Sequence, residues 1–474
     1  MSTTRTWALA RTALAATLIS LPALSQDKLV LEVGRAETLH GPVIEDAVIL
    51  IEGGKIQAVG KSGEVEVPWD AVVQRLPEHT AFPGFIEAHT SRGMDRPNET
   101  IEVAPFLNIR DSIDPVNSFF EDMLRAGVTT IGIQQGDDAV IAGQGMVVKP
   151  HGMTVEQMLV KPGSGLKMVA APKRGKSRAT QAQALRGAFR DLRAHLEQLV
   201  QEKRDGNDRA RREALYQGRD LSGDRAMGRA MEGLGWKVDG LELVPRGEIE
   251  EKQEPLLDVV EGRLPVWFAC DTPLDVHRAL ELSRDNGFLH TTSLVLEPAC
   301  YKAADLIAEA GLHVVLTGMT YTERDPRTGE TDEISVVEVF RDKGIPFALT
   351  SRNSSTQALW YQAAMAMSHG LTRDEALASV TSSPAKMLGL EGRVGKLAAG
   401  HDANVLICSG DPLSVTTTID HVFIEGKHVY DRSKDVRVRQ LLDGTQPENT
   451  MAEGLDGRVR AEASSDDEQD EDDQ

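Results

Sequence analysis

The chain has 474 residues, 41% hydrophobic and 26% charged, and a formal net charge of -21. That composition excludes a disordered or fibrous chain, and the negative balance argues against nucleic-acid binding. After the first 25 residues no stretch approaches about 18 consecutive apolar residues, so no membrane span is expected in a mature protein.

In chain order, residues 1–25 read as a signal peptide. Arg5 and Arg11 precede the apolar stretch "TALAATLISLPALS", and Ala23-Leu24-Ser25 forms a small-x-small cleavage signal before Gln26. The expectation is export to a periplasmic or extracellular compartment; the alternative is a retained membrane anchor. "DAVILIEGGKIQAVG" (46–60) alternates apolar and polar residues on both sides of Gly53-Gly54, which is a hairpin signal. "HVFIEGKHVY" (421–430) repeats that pattern around Gly426, after "DANVLIC" (402–408). A lone hairpin is marginal in water, so residues 28–80 and 393–440 are expected to pair into one composite β-sandwich domain.

Between them, short apolar runs alternate with helical periods. "FEDMLRAGVTTIGIQ" reads as helix then strand, and "VWFAC" as a strand before the helical "PLDVHRALELSRDNG". "TTSLVLEP", "LHVVLTG" and "IPFALTS" continue the rhythm. Repeated units of this length predict an α/β fold, a TIM-like (β/α)8 barrel over 81–392, with its site where the strands end. Residues 178–215 interrupt it with a charged helix striped by Leu185, Phe189, Leu192, Leu196 and Leu199. The helix either lies on the barrel or forms a lid or a dimer-forming hairpin. The remainder, 441–474, is a tail; from 462 it carries eight acids and no base, and is expected to be disordered. Three cysteines, Cys270, Cys300 and Cys408, cannot build a disulfide framework, although Cys270 and Cys300 remain free to pair.

Several segments carry a family likeness. "PGFIEAHTSRG", "LRAGVTTIGI", "AGQGMVVK", "SSPAKMLGLEGRVGKLAAGHDANVLICSGDPL" and "VFIEGKHVY" together resemble the amidohydrolase superfamily, in its exported imidazolonepropionase-like and dipeptidase-like branch. The resemblance implies metal-assisted hydrolysis of carbon–nitrogen bonds, in which a divalent ion activates water and polarises a carbonyl. It also implies ligands at strand ends: a His-x-His pair on the first strand, a lysine or glutamate on the fourth, histidines on the fifth and sixth, and an aspartate on the eighth.

Matched to that pattern, the first strand offers His89 but has Ser91 in place of the second histidine. The fourth strand offers Lys167, in "GSGLKMVAA". On the fifth, "VWFACDTPLDV" supplies Cys270 and Asp271 and no histidine before His277. On the sixth the ligand position falls near Leu296, beside Glu297, and on the eighth Ser351 stands at the aspartate. The ligand-pocket candidates are therefore His89, Ser91, Arg92, Asp95, Arg96 and Glu99 after the first strand, with Asn98 among them. Lys167, Cys270, Asp271, Glu297, Ser351, Arg352 and Asn353 come from later strands.

The expectation is a metal-free pseudo-enzyme that binds a small molecule at the barrel mouth and uses no cofactor. One alternative is a hydrolase with a non-standard site, built from Cys270 with His89 or from one zinc-like ion on His89, Glu297 and Asp271. The other is an exported interaction subunit. The resemblance leaves a homodimer open, and the sequence does not decide the oligomeric state.

Overall fold

The computed structural model describes residues 28–172, 175–216, 238–351 and 358–444. Residues 1–25, expected to be a leader, the acidic tail, Arg352 and Asn353 lie outside those residues. Among the described residues, no helix is long and apolar enough to cross a membrane.

Eight strands make the central sheet: β1 (Phe85–Thr90), β2 (Val128–Ile133), β3 (Ile141–Val148), β4 (Leu159–Val169), β5 (Val266–Cys270), β6 (Thr292–Leu296), β7 (His313–Leu316) and β8 (Phe347–Leu349). They neighbour one another in chain order, from β1 to β8. Seven run parallel. β3 runs antiparallel to both β2 and β4. The cause is the length of its connections: residues 134–140 and 149–158 are too short for the crossover of a dozen or more residues that parallel neighbours require.

The barrel is nearly closed. Between β8 and β1 lies the chain at 379–380, where Ser379 O accepts from the Leu349 N–H (3.1 Å) and Val380 O from the Ile86 N–H (2.9 Å). Alternation along the strands then sorts the side chains into layers. Phe268, Cys270, Leu294, Leu296, Val314, Leu316, Phe347 and Leu349 belong to the large core that includes the covering helices. Ile86, Ala88, Val147, Trp267, Val295, Val315 and Ala348 form a separate inner cluster, joined by Ala385, Leu388, Leu390 and Val394. That last segment covers the strand-start end, because Lys161 Nζ donates to Leu388 O and Arg393 Nη1 to Val160 O, both at the beginning of β4. Function is left to the opposite end.

A second, seven-stranded sheet combines strands from 28–83 with strands from 405–431 and closes over a core of its own, including Leu31, Ile49, Ile56, Val405 and Phe423. Its hairpins turn at Gly53-Gly54 and Glu425-Gly426, all four with positive φ, as a type I′ turn demands.

The long helix Arg178–Tyr216 packs on the barrel through its first part. Leu185, Phe189, Leu192, Leu196 and Val200 are buried there, and Phe189 stacks on Phe288 with ring centroids 5.3 Å apart. Arg178 ties the start of this helix to Thr272 and Asp275, at 3.0 Å and 2.6 Å.

Candidate functional site

Every residue of β1, "FIEAHT", is buried, and two of the six are ionisable. A buried charge or imidazole must find partners, and those partners define the site. His89 is 1% exposed and its Nε2 lies 2.9 Å from Nζ of Lys167, which is fully buried on β4. Lys167 Nζ also lies 2.9 Å from Asp137 Oδ1, on the loop after β2. Burial pushes the Lys167 amine down to about 7, opposed by the nearby Asp271 carboxylate. An ammonium can only donate, so its contact with His89 Nε2 makes that imidazole neutral, with its proton on Nδ1. A neutral amine could instead accept from an Nε2–H.

Trp267 forms the floor. Its ring centroid lies 5.8 Å from that of His89, and its indole N–H donates to Ser164 O at 3.0 Å. Gly165 makes this packing feasible: its φ is +148°, and a Cβ there would stand 2.5 Å from Trp267 Cδ1. Beneath, Glu87 Oε2 accepts from both the backbone N–H and the hydroxyl of Ser351, while Thr350 Oγ1 donates to His89 O. Burial raises the Glu87 carboxyl above its ordinary range, opposed by hydrogen bonds from Ser351 and Thr350.

Several expected pocket residues stand elsewhere. Cys270 alternates with Trp267 and Ala269, so its thiol faces the helices rather than His89. Cys300 Sγ donates to Cys270 O at 3.2 Å, all three cysteines are free, and burial raises the Cys270 thiol well above its usual range. A Cys270–His89 nucleophile and base pair is therefore overturned. Ser351 is 3% exposed and committed to Glu87, so it is a buried strut rather than a pocket-lining group. The Arg92 guanidinium lies over the Phe119 ring, 4.9 Å from its centroid.

Asp95 and Arg96 are exposed, with the Arg96 N–H donating to Asp95 Oδ1 at 2.7 Å. Ser91 and Glu99 are half-buried beside them. Alternation along β5 and β6 puts Asp271 in phase with Trp267 and Glu297 in phase with Val295, hence on the inner side where those strands end. Asp271 is exposed there and Glu297 half-buried. Leu296 belongs to the helix-facing core. Reading the sequence missed Glu87, although an acid inside an otherwise apolar, fully buried strand is a signal in itself.

Metal chemistry of the kind the resemblance implies needs three or four donors converging on one point. Here a lysine nitrogen, not an open coordination position, stands 2.9 Å from His89 Nε2. Leu296 brings no donor atom, and Ser351 is turned onto Glu87. Leu296 and Ser351 thus supply no free donor at two of the positions where the resemblance places ligands.

Comparison with known proteins agrees with the architecture. The family model described as "Amidohydrolase family" matches residues 290–430, a stretch that contains neither His89 nor Lys167. Amidohydrolase tasK of Hapsidospora irregularis is 25% identical over 419 residues, covering 81% of this chain and 40% of that protein. The chain thus spans well under half the length of that curated relative. The crystal structure of an amidohydrolase from Thermotoga maritima MSB8 superposes with a TM-score of 0.66 at 23% identity, over 85% of this chain and 100% of that one. The chain thus shares the barrel and accompanying β-sheet of that amidohydrolase structure, and over residues 290–430 its sequence is similar to the amidohydrolase family.

Proposed function

We propose that this protein is an exported, metal-free member of its superfamily that binds a small polar molecule at the barrel mouth. The observation that carries the reading is the 2.9 Å separation of Lys167 Nζ from His89 Nε2. A buried cationic side chain beside the one first-strand histidine supplies, from within the chain, the positive charge that an ion would bring. A ligand carrying a carboxylate or a polarised carbonyl matches a lysine that can donate and an imidazole held in one orientation. Export rests on the leader-like residues 1–25.

The test is turnover and binding by the same preparation. N-acyl amino acids, dipeptides and cyclic amides are offered with and without zinc. The reading expects no turnover in either case, and thermal stabilisation by at least one carboxylate compound that Lys167→Met abolishes. Zinc- or manganese-dependent turnover that disappears in His89→Ala would overturn it.

A second reading rests on the amine titrating near neutrality. A lysine at about 7 touching a histidine has the protonation range of a general base. Hydrolysis that persists in chelator, inflects near pH 7 and is lost in Lys167→Met would favour it.

A further inference from the structure

Away from the barrel, the edge hairpin of the second sheet gathers a separate set of donors. Its strands are Ile419–Ile424 and Lys427–Asp431, the latter at the sheet edge. Pairing matches His421 with Asp431 and Phe423 with His428, with an irregularity between Val422 and Phe423 that leaves Val429 as an extra residue. That bulge matters. His428 and Asp431 are three apart, so a regular strand would point them to opposite faces. The inserted residue reverses the phase, and such bulges re-aim side chains beside functional sites. His421, His428 and Asp431 therefore emerge on one face.

Each presents one donor atom, and the three atoms lie within 4.8 Å of one another. His421 Nδ1 stands 3.1 Å from His428 Nε2 and 3.9 Å from Asp431 Oδ1. Bonds of about 2.0–2.2 Å to a tetrahedral ion place its donors about 3.3–3.6 Å apart. The observed spacings bracket that value. The donors are also held from behind: Phe423 stacks on His428 at 4.8 Å, and Ser433 donates to Asp431 Oδ1 through its N–H (3.1 Å) and hydroxyl (2.6 Å). Lys434 pairs with the other carboxylate oxygen at 3.0 Å. Outer contacts of this kind orient ligands in metal sites.

We propose that His421, His428 and Asp431 form a binding site for zinc or a similar late first-row divalent cation on the β-domain, independent of the barrel. Two imidazoles and one carboxylate suit such ions, and three protein donors leave a fourth position for water or for a donor from another molecule. An ion there would clamp both strands of the edge hairpin.

The experiment is equilibrium zinc binding by untagged full-length protein after chelator treatment, with circular dichroism to confirm folding. The wild type should take up one zinc per chain saturably. His428→Ala, at an exposed position, should lose it. Asp431→Asn keeps the side-chain shape and should weaken binding at least about tenfold, since outer contacts alone are worth that much. His89→Ala should bind as the wild type does. No saturable uptake, or uptake that survives His428→Ala and disappears in His89→Ala, would overturn the proposal.

Discussion

Glu87 Oε2 accepts two hydrogen bonds from a single residue, Ser351, at 2.8 Å from its backbone N–H and 2.7 Å from its hydroxyl. Glu87 Oε1 accepts from the His89 N–H at 3.3 Å. One carboxyl thus ties the first strand to the residue just beyond the last, across a seam where the barrel has no continuous ladder.

Removing this tie should destabilise the protein according to what is left unsatisfied. Glu87→Ala strands the buried Ser351 donors and should cost about 3–5 kcal/mol. Glu87→Gln keeps one acceptor and should cost about 1–2 kcal/mol. The folded pKa of Glu87 lies above the ordinary 4.5, so its contribution is full below that value and is lost as pH rises through the folded pKa. Urea unfolding from pH 4 upward should show this loss in the wild type and not in Glu87→Gln.

Lys167 has the opposite sense. Its folded pKa, about 7, lies below the ordinary 10.5, so between them the unfolded chain binds the proton more tightly. Stability should rise with pH across that window, and the penalty should be full below about pH 7. Lys167→Met should flatten the rise, so that urea unfolding between about pH 7 and 10 loses its slope. A slope as steep in the variant as in the wild type would contradict a desolvated amine.

Cys270, Cys300 and Cys408 are buried, free and raised in pKa, Cys408 to about 12. Thiolate, not thiol, reacts. Native protein should therefore resist a thiol reagent at pH 8, and all three cysteines should label once it is unfolded in denaturant without reductant. A bridge would leave only one to label.

The long helix should be integral to the barrel. Phe189, 3% exposed and stacked on Phe288, should cost about 3–5 kcal/mol when changed to alanine. A change below about 1 kcal/mol in chemical denaturation would mean that the helix detaches.

The fold class was legible because the hydrophobic periods are strong: "VWFAC", "TTSLVLEP" and "LHVVLTG" all become strands of the barrel. The reversal of β3 was legible only through the shortness of 134–140, a property of the connection and not of the strand. The site was harder. His89 and Lys167 could be named from the resemblance, but their meeting depends on two distant strands and on the glycine that admits Trp267. Cys270 was misjudged because a strand-end position was weighed without its phase, which turns the thiol toward the helices. Glu87 was passed over as part of an apolar run. His421, His428 and Asp431 gave no signal together, since only the bulge at Val429 brings them to one face.

If the Lys167–His89 pair occupies the place of a catalytic ion, a His421→Ala/His428→Ala double variant, purified without chelators and lacking the outlying donors, should carry zinc and manganese far below one ion per chain. It should also show no carbon–nitrogen bond hydrolysis. Stoichiometric zinc or manganese in that variant, lost together with hydrolase activity when His89 is also changed to alanine, would contradict that placement.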